Sequence, residues 1–269
     1  MTTKILNVTA ILSLGLISGY LVSSETVLPD IDNQSFINEC VQTHNYYRSR
    51  VNPPASNMRY MTWDHALAKT ARAWARKCQF KHNIHLQTPG KVHPEFSPVG
   101  ENLWAGAPVP SFNASMAVKN WYDEVKDYDY ASRACSKVCG HYTQVVWDES
   151  YKVGCAVQKC SSISGTNMKN GAIFVCNYGP AGNYPRRPYS KGRPCSACSN
   201  ELCRNGLCST PERETQKSYS EWNPDWDSRL SCDSYCITSL VIRVILFLLT
   251  FLAVFMLQNK FPNMFVYEQ

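Results

Sequence analysis

The sequence predicts an α+β fold in which a sheet lies between helices, an α-β-α sandwich, followed by a small disulfide-rich segment and a C-terminal membrane helix. Three observations predict it. Segments with a helical period come first and apolar, strand-like runs come later. One of those runs, residues 172–176, is apolar on both faces and needs cover on both sides. Beyond it, four cysteines crowd into residues 194–208, and residues 237–257 form an apolar stretch of 21 residues, long enough to span a bilayer core.

The elements follow in order. Residues 36–51 place Phe36, Cys40, Val41, His44, Tyr47 and Val51 at helical spacing; Asn33 or Ser35 can cap the start, and Pro53 with Pro54 ends it. Asp64 caps a second helix that runs to about Cys78, with Leu67, Ala71, Trp74 and Cys78 as its buried stripe. Residues 82–98 mix histidines and prolines without a period and read as a long loop. Ser111, Asn113 or Ser115 opens a third helix to about Lys126. Residues 153–157 alternate as a strand, and the Asn170-Gly171 turn leads into the strand 172–176. A segment as short as 194–208 builds no core, so its cysteines call for disulfides; zinc is the competing reading.

Composition sets the compartment. Lys4, the apolar run 5–22 and the small Ser23 and Ser24 read as a signal peptide over residues 1–24. Thirteen cysteines suit the oxidising space beyond it, and Asn33 and Asn113 lie in glycosylation sequons. The net charge of +6 is scattered, which argues against a nucleic-acid partner. A removable glycolipid-anchor signal is the alternative for residues 237–257, but the polar-ended tail 258–269 argues against it. The expected topology is single-pass type I at the plasma membrane, with the bulk outside and residues 258–269 in the cytoplasm.

Candidate functional residues centre on Gly140 to Trp147, GHYTQVVW, where His141 and Gln144 stand among apolar anchors. On the third helix Ala117, Val118, Trp121 and Val125 form the apolar stripe; Glu124 borders it and Asp123 points away. Glu101 precedes an apolar pair in GENLW, and His82 follows the second helix. A partly buried carboxylate needs a partner, so two glutamates and two histidines are candidates to meet.

GHYTQVVWDES and residues 173–184, IFVCNYGPAGNY, resemble the two signature motifs of the CAP superfamily of cysteine-rich secretory, antigen 5 and pathogenesis-related proteins. The resemblance covers residues 36–189, and the four-cysteine segment is similar to that family's hinge. It implies a CAP domain at 33–190, a hinge at 191–209 and a juxtamembrane linker at 210–236. It also implies a cleft tetrad of His82, Glu101, Glu124 and His141. Some relatives bind zinc or another divalent cation between the histidines, so the expected metal ligands are His82 and His141, holding the ion weakly. The glutamates are expected to hold water or the imidazoles, and no catalytic residue is assigned; His85 and His93 are rival ligands.

The same resemblance pairs Cys78 with Cys160, Cys155 with Cys176, Cys195 with Cys203, and Cys198 with Cys208. One family disulfide is missing, because Val99 and Gly179 stand where its cysteines would be. Cys135 and Cys139 are open to a local bridge or to one of them reaching Cys40, and Cys232 and Cys236 are left unassigned. The implied function is a membrane-anchored extracellular binding module for a sterol, a lipid or a protein, with Trp104, Phe112, Trp121 and Tyr122 offering a groove or simply core. The alternative is a protease- or esterase-like hydrolase using the cleft, although no GxSxG elbow is present. A channel-blocking role belongs in the family to a further domain that this chain replaces with a linker and span. The oligomeric state is left open.

Overall fold

The computed structural model describes residues 27–227 and 234–261. The expected signal peptide, Cys232 and most of the expected tail fall outside the described residues. Two compact units divide between Ser220 and Glu221.

The first unit holds a four-stranded sheet in the order β1-β3-β4-β2. Its strands are β1 (Thr62–Trp63), β2 (Gly100–Gly106), β3 (Lys152–Ser162) and β4 (Lys169–Gly179). β1 pairs with β3 in parallel, and the other pairings are antiparallel. Four helices pack on it: α1 (Gln34–Arg48), α2 (His65–Ala75), α3 (Ala114–Tyr122) and α4 (Gly140–Val145). Strand alternation sorts them. Even positions of β4 face α1 and α3, for Phe174 meets Phe36 and Trp121, and Tyr178 meets His44. The opposite face takes α2. There Gly154, paired with Asn177, lies so near that an added Cβ would sit 2.2 Å from the backbone nitrogen of Ala68.

Caps set the helix starts. Asn33, Asp64 and Asn113 each accept the backbone N–H three residues on. α1 ends at Arg48 rather than near Val51, and α2 at Ala75, three residues short of Cys78, which takes the left-handed φ of 51°. The third helix also stops early. After Tyr122 it tightens into a 3₁₀ turn over Asp123–Asp127, so Glu124 sits on that turn. GENLW was not expected to be a strand, and here it forms the start of edge strand β2.

Five disulfides link described residues: Cys78–Cys160, Cys155–Cys176, Cys195–Cys203, Cys198–Cys208 and Cys135–Cys139. Cys40 is a buried free thiol. The hinge forms a hairpin of β5 (Leu202–Arg204) and β6 (Leu207–Ser209), bonded to the domain through Cys208 N–H to Met58 O and Tyr60 N–H to Cys208 O. A short helix α5 (Pro211–Glu214) follows. The expected linker is not wholly free, because residues 215–219 clasp the domain. Lys152 Nζ donates to Thr215 O, Lys217 pairs with Glu95 at 2.6 Å, and Tyr219 packs edge-on against His93.

The second unit contains α6 (Ser234–Lys260), whose apolar stretch Ile237–Leu257 is long enough to cross a membrane.

Candidate functional site

The expected tetrad forms two imidazole–carboxylate pairs. In the first, His82 Nδ1 lies 2.9 Å from Glu101 Oε1, which also accepts the Asn83 N–H at 2.9 Å. The Glu101 side chain is 0% exposed, while that of His82 is 59% exposed. Burial pushes the Glu101 carboxyl up, against the opposing bonds from His82 and Asn83. The bond to Glu101 raises His82 above its ordinary 6.5, against desolvation. Glu101 Oε2 is buried with no hydrogen-bond partner among the described residues.

The second pair is built differently. His141 Nδ1 lies 2.6 Å from Glu124 Oε1, and Glu124 Oε2 accepts the N–H groups of His141 and Tyr142 at 3.0 and 3.2 Å. The first N–H groups of a helix have no partner within it, and Glu124 supplies one for α4. His141 stacks near-parallel on Trp121, which stacks in turn on Phe174.

The edge strand carries both halves. Successive residues of a strand face opposite ways. Glu101 pairs with Asn177, on the α2 face, and reaches the loop after α2. Asn102 pairs with Cys176, on the other face, and donates to His141 O at 3.0 Å. Asn102 also donates to the Tyr178 hydroxyl, which lies 2.9 Å from His44 Nε2, while His44 Nδ1 meets Cys40 O at 2.7 Å. A carbonyl only accepts, so His44 carries its proton on Nδ1 and takes the tyrosine proton at Nε2. Burial lowers His44 to about 4, consistent with that neutral form.

Sequence reasoning missed Asn102 and Arg48. Arg48 is fully buried and donates to the carbonyls of Arg59, Val145, Trp147 and Ser150 at 2.7–3.1 Å. It thereby gathers the chain leaving α4. Burial lowers its guanidinium to about 9, still protonated at neutral pH. The available signal was position, since Arg48 continues the buried 37, 40, 44 row of α1. Gln144 fixes the neighbourhood further, accepting from Gly182 N–H and donating to Ser150. It lies so near Gly100 that a Cβ there would sit 2.2 Å from its Oε1.

The rival histidines stand elsewhere. His93 is fully buried, its Nδ1 accepts two backbone N–H groups and its Nε2 meets Asp64 Oδ1, so both ring nitrogens are engaged. His85 shares the turn of Asn83, which accepts its backbone N–H. Of the four aromatics expected for a groove, Trp121 is core, and Trp104 and Phe112 pack in the Phe174 cluster. Tyr122 alone backs a groove, by stacking on Tyr47 at 4.3 Å. That groove, about 440 Å³ between α1 and α3, is lined by Thr43, Tyr46, Tyr47, Asn113, Met116 and Lys119 among others.

A divalent cation fits these residues in part. Each imidazole gives Nδ1 to a carboxylate, the usual support of a metal-ligating histidine, which leaves Nε2 for an ion. No group of three or more His, Cys, Asp or Glu is placed to hold a metal among the described residues. The donors on offer are at most the two Nε2 atoms, short of a tight structural zinc site.

A disulfide-stapled sheet with helices on both faces and paired His/Glu at its edge defines an extracellular α-β-α module. The CAP family model, described as the cysteine-rich secretory protein family, matches residues 41–178, and the chain belongs to that family. The chain is 47% identical over 241 residues to glioma pathogenesis-related protein 1 of Mus musculus, covering 89% of this chain and 90% of that one. It is 49% identical over 218 residues to GLIPR1-like protein 1 of Bos taurus, covering 80% and 89%. Among solved structures it is similar to NaASP2 with Zn2+, with a TM-score of 0.52 and 29% identity, covering 67% of this chain and all of that one. Na-ASP-1 gives 0.52 and 27%, covering 71% and 50%.

Proposed function

We propose that the chain is a membrane-anchored extracellular binding module whose cleft takes a weakly held divalent cation through His82 and His141. The observation that carries this is the use of Nδ1 by both imidazoles on glutamates, which leaves the Nε2 of each ring as its remaining donor. The zinc-bound structure of NaASP2 supports the choice of ion. α6 supplies the anchor. The tyrosine-lined groove is the apolar surface on which a sterol or lipid tail would lie.

A serine- or threonine-type hydrolase would need an activated hydroxyl beside the imidazole. Thr143, two residues from His141, has its single hydroxyl proton nearest Asn183 Oδ1, at 2.6 Å, rather than the His141 ring. The binding reading is favoured over a hydroxyl-nucleophile hydrolase on that ground.

Calorimetric zinc titration of wild type against the double variant His82→Ala/His141→Ala tests it. The variant is expected to lose the binding heat while thermal unfolding shows it folded. Equal heats in two folded proteins would reject the site. Affinity should fall with pH through the raised His82 pKa, because a protonated imidazole cannot ligate.

A further inference from the structure

We propose that the N-linked glycan on Asn113 seats its first sugars in the groove between α1 and α3 and covers it. This rests on the extracellular reading above and adds a regulator of the groove. Asn113 does two jobs at once. Its Oδ1 accepts the Met116 N–H at 2.7 Å and caps α3. The donor is a backbone N–H, so the oxygen must face it, and Nδ2, the atom that carries a glycan, is the one turned outward. The cap bond thus fixes the direction in which the sugar leaves, and Asn113 itself lines the groove.

The surface in front of it suits a sugar. Met116 lies three residues along α3 from Asn113, on the same helix face. It is 54% exposed, and Tyr46 is 52% exposed, so both face solvent across the groove. The ring of Tyr46 stands edge-on to Tyr47 at 5.1 Å, and Arg50 covers Tyr46 at 3.9 Å from its centroid. N-acetylglucosamine presents C–H groups on its ring face, which pack on aromatic and thioether surface, and polar edges that suit Lys119 and Gln42 at the rim. Such stacking is weak between free molecules. A tether at the rim makes it intramolecular, with an effective concentration of about millimolar or more. The other sequon asparagine, Asn33, also caps a helix but does not line this groove, so it serves as a control.

The test uses the full-length chain made in mammalian cells and purified in detergent, beside Asn113→Asp and Asn33→Asp. Aspartate keeps the cap acceptor and removes the glycan nitrogen. Glycopeptide mass gives occupancy, and brief hydroxyl-radical oxidation reads exposure of Met116 and Tyr46, with exposed Tyr184 as the reference. Asn113→Asp should raise Met116 oxidation about twofold or more, in keeping with uncovering a half-exposed side chain, and Asn33→Asp should leave it unchanged. Trimming the wild-type glycan to its first sugar should preserve most of the protection. Equal oxidation in wild type and Asn113→Asp, or protection lost on trimming, overturns the proposal. A glycan at Asn33 but none at Asn113 overturns it and leaves the extracellular reading standing, whereas none at either overturns both.

Discussion

The two imidazole–carboxylate pairs use the same side chains with different solvent exposure. Glu101 is wholly buried behind an exposed imidazole, whereas Glu124 is 18% exposed beside an imidazole that is 26% exposed. Glu101 leaves one oxygen without a partner, while Glu124 engages both, one on the ring and one on the end of α4. The first half stores an electrostatic load in the fold, and the second is part of the scaffold. Identical residue types therefore predict different consequences when removed.

The largest effect is expected from Glu124→Ala. It strips three hydrogen bonds from α4 and should lower stability by about 3 kcal/mol, read as a drop in the urea midpoint at constant slope. Glu101→Gln should change the midpoint far less, since it removes a carboxylate that burial disfavours; a loss equal to that of Glu124→Ala would erase the contrast.

Asn102→Ala comes next. It breaks the tie between the halves at His141 O and leaves Tyr178 with one partner fewer, for a loss of about 1–2 kcal/mol. Zinc affinity should fall with it, which a purely scaffolding residue would not cause.

Third, His141→Ala should destabilise more than His82→Ala. The former uncovers Trp121 and frees Glu124, at about 1–2 kcal/mol, whereas the latter removes a mostly exposed ring. Parallel urea melts at pH 7 rank them.

The smallest effect is in pH dependence. His82 has a folded pKa above 6.5, so its contribution is fully present below pH 6.5 and fades as pH rises through the folded value. Melting temperatures of wild type should decline slightly across that window, and His82→Ala should flatten the decline. A steeper slope in the variant would assign the titration to another group.

Much of this was legible in the sequence. Three helices and the Asp64 cap followed from spacing; Asn33 and Asn113 were among the caps left open, and the short helix Gly140–Val145 was not expected. The tetrad as a set came from the family resemblance; the residues themselves marked His82, Glu101, Glu124 and His141 only as candidates to meet. Glu124 was drawn inward by a 100° helical period, yet it reaches α4 from a 3₁₀ turn, because the helix ends at Tyr122. GENLW hid its strand character, since its Glu101-Asn102 step is polar and polar residues at an edge read as loop. Arg48 and Asn102 were invisible as ligands of carbonyls, because their partners lie 97 and 39 residues away. Periodicity reports a buried face but not what a polar residue on that face will bond.

If the proposed anchor holds the chain at a membrane, the clasp at residues 215–219 bears on its release. Every bond of that clasp lies on the N-terminal side of Glu221. A sheddase cutting between 221 and 233 would leave the clasp whole, so the freed and tethered forms would share one fold, cleft and groove. A cut only a few residues earlier, before Lys217, would take away the Glu95 ion pair and the tyrosine resting on His93. The clasp thus sets the earliest point at which a cut would leave these bonds intact.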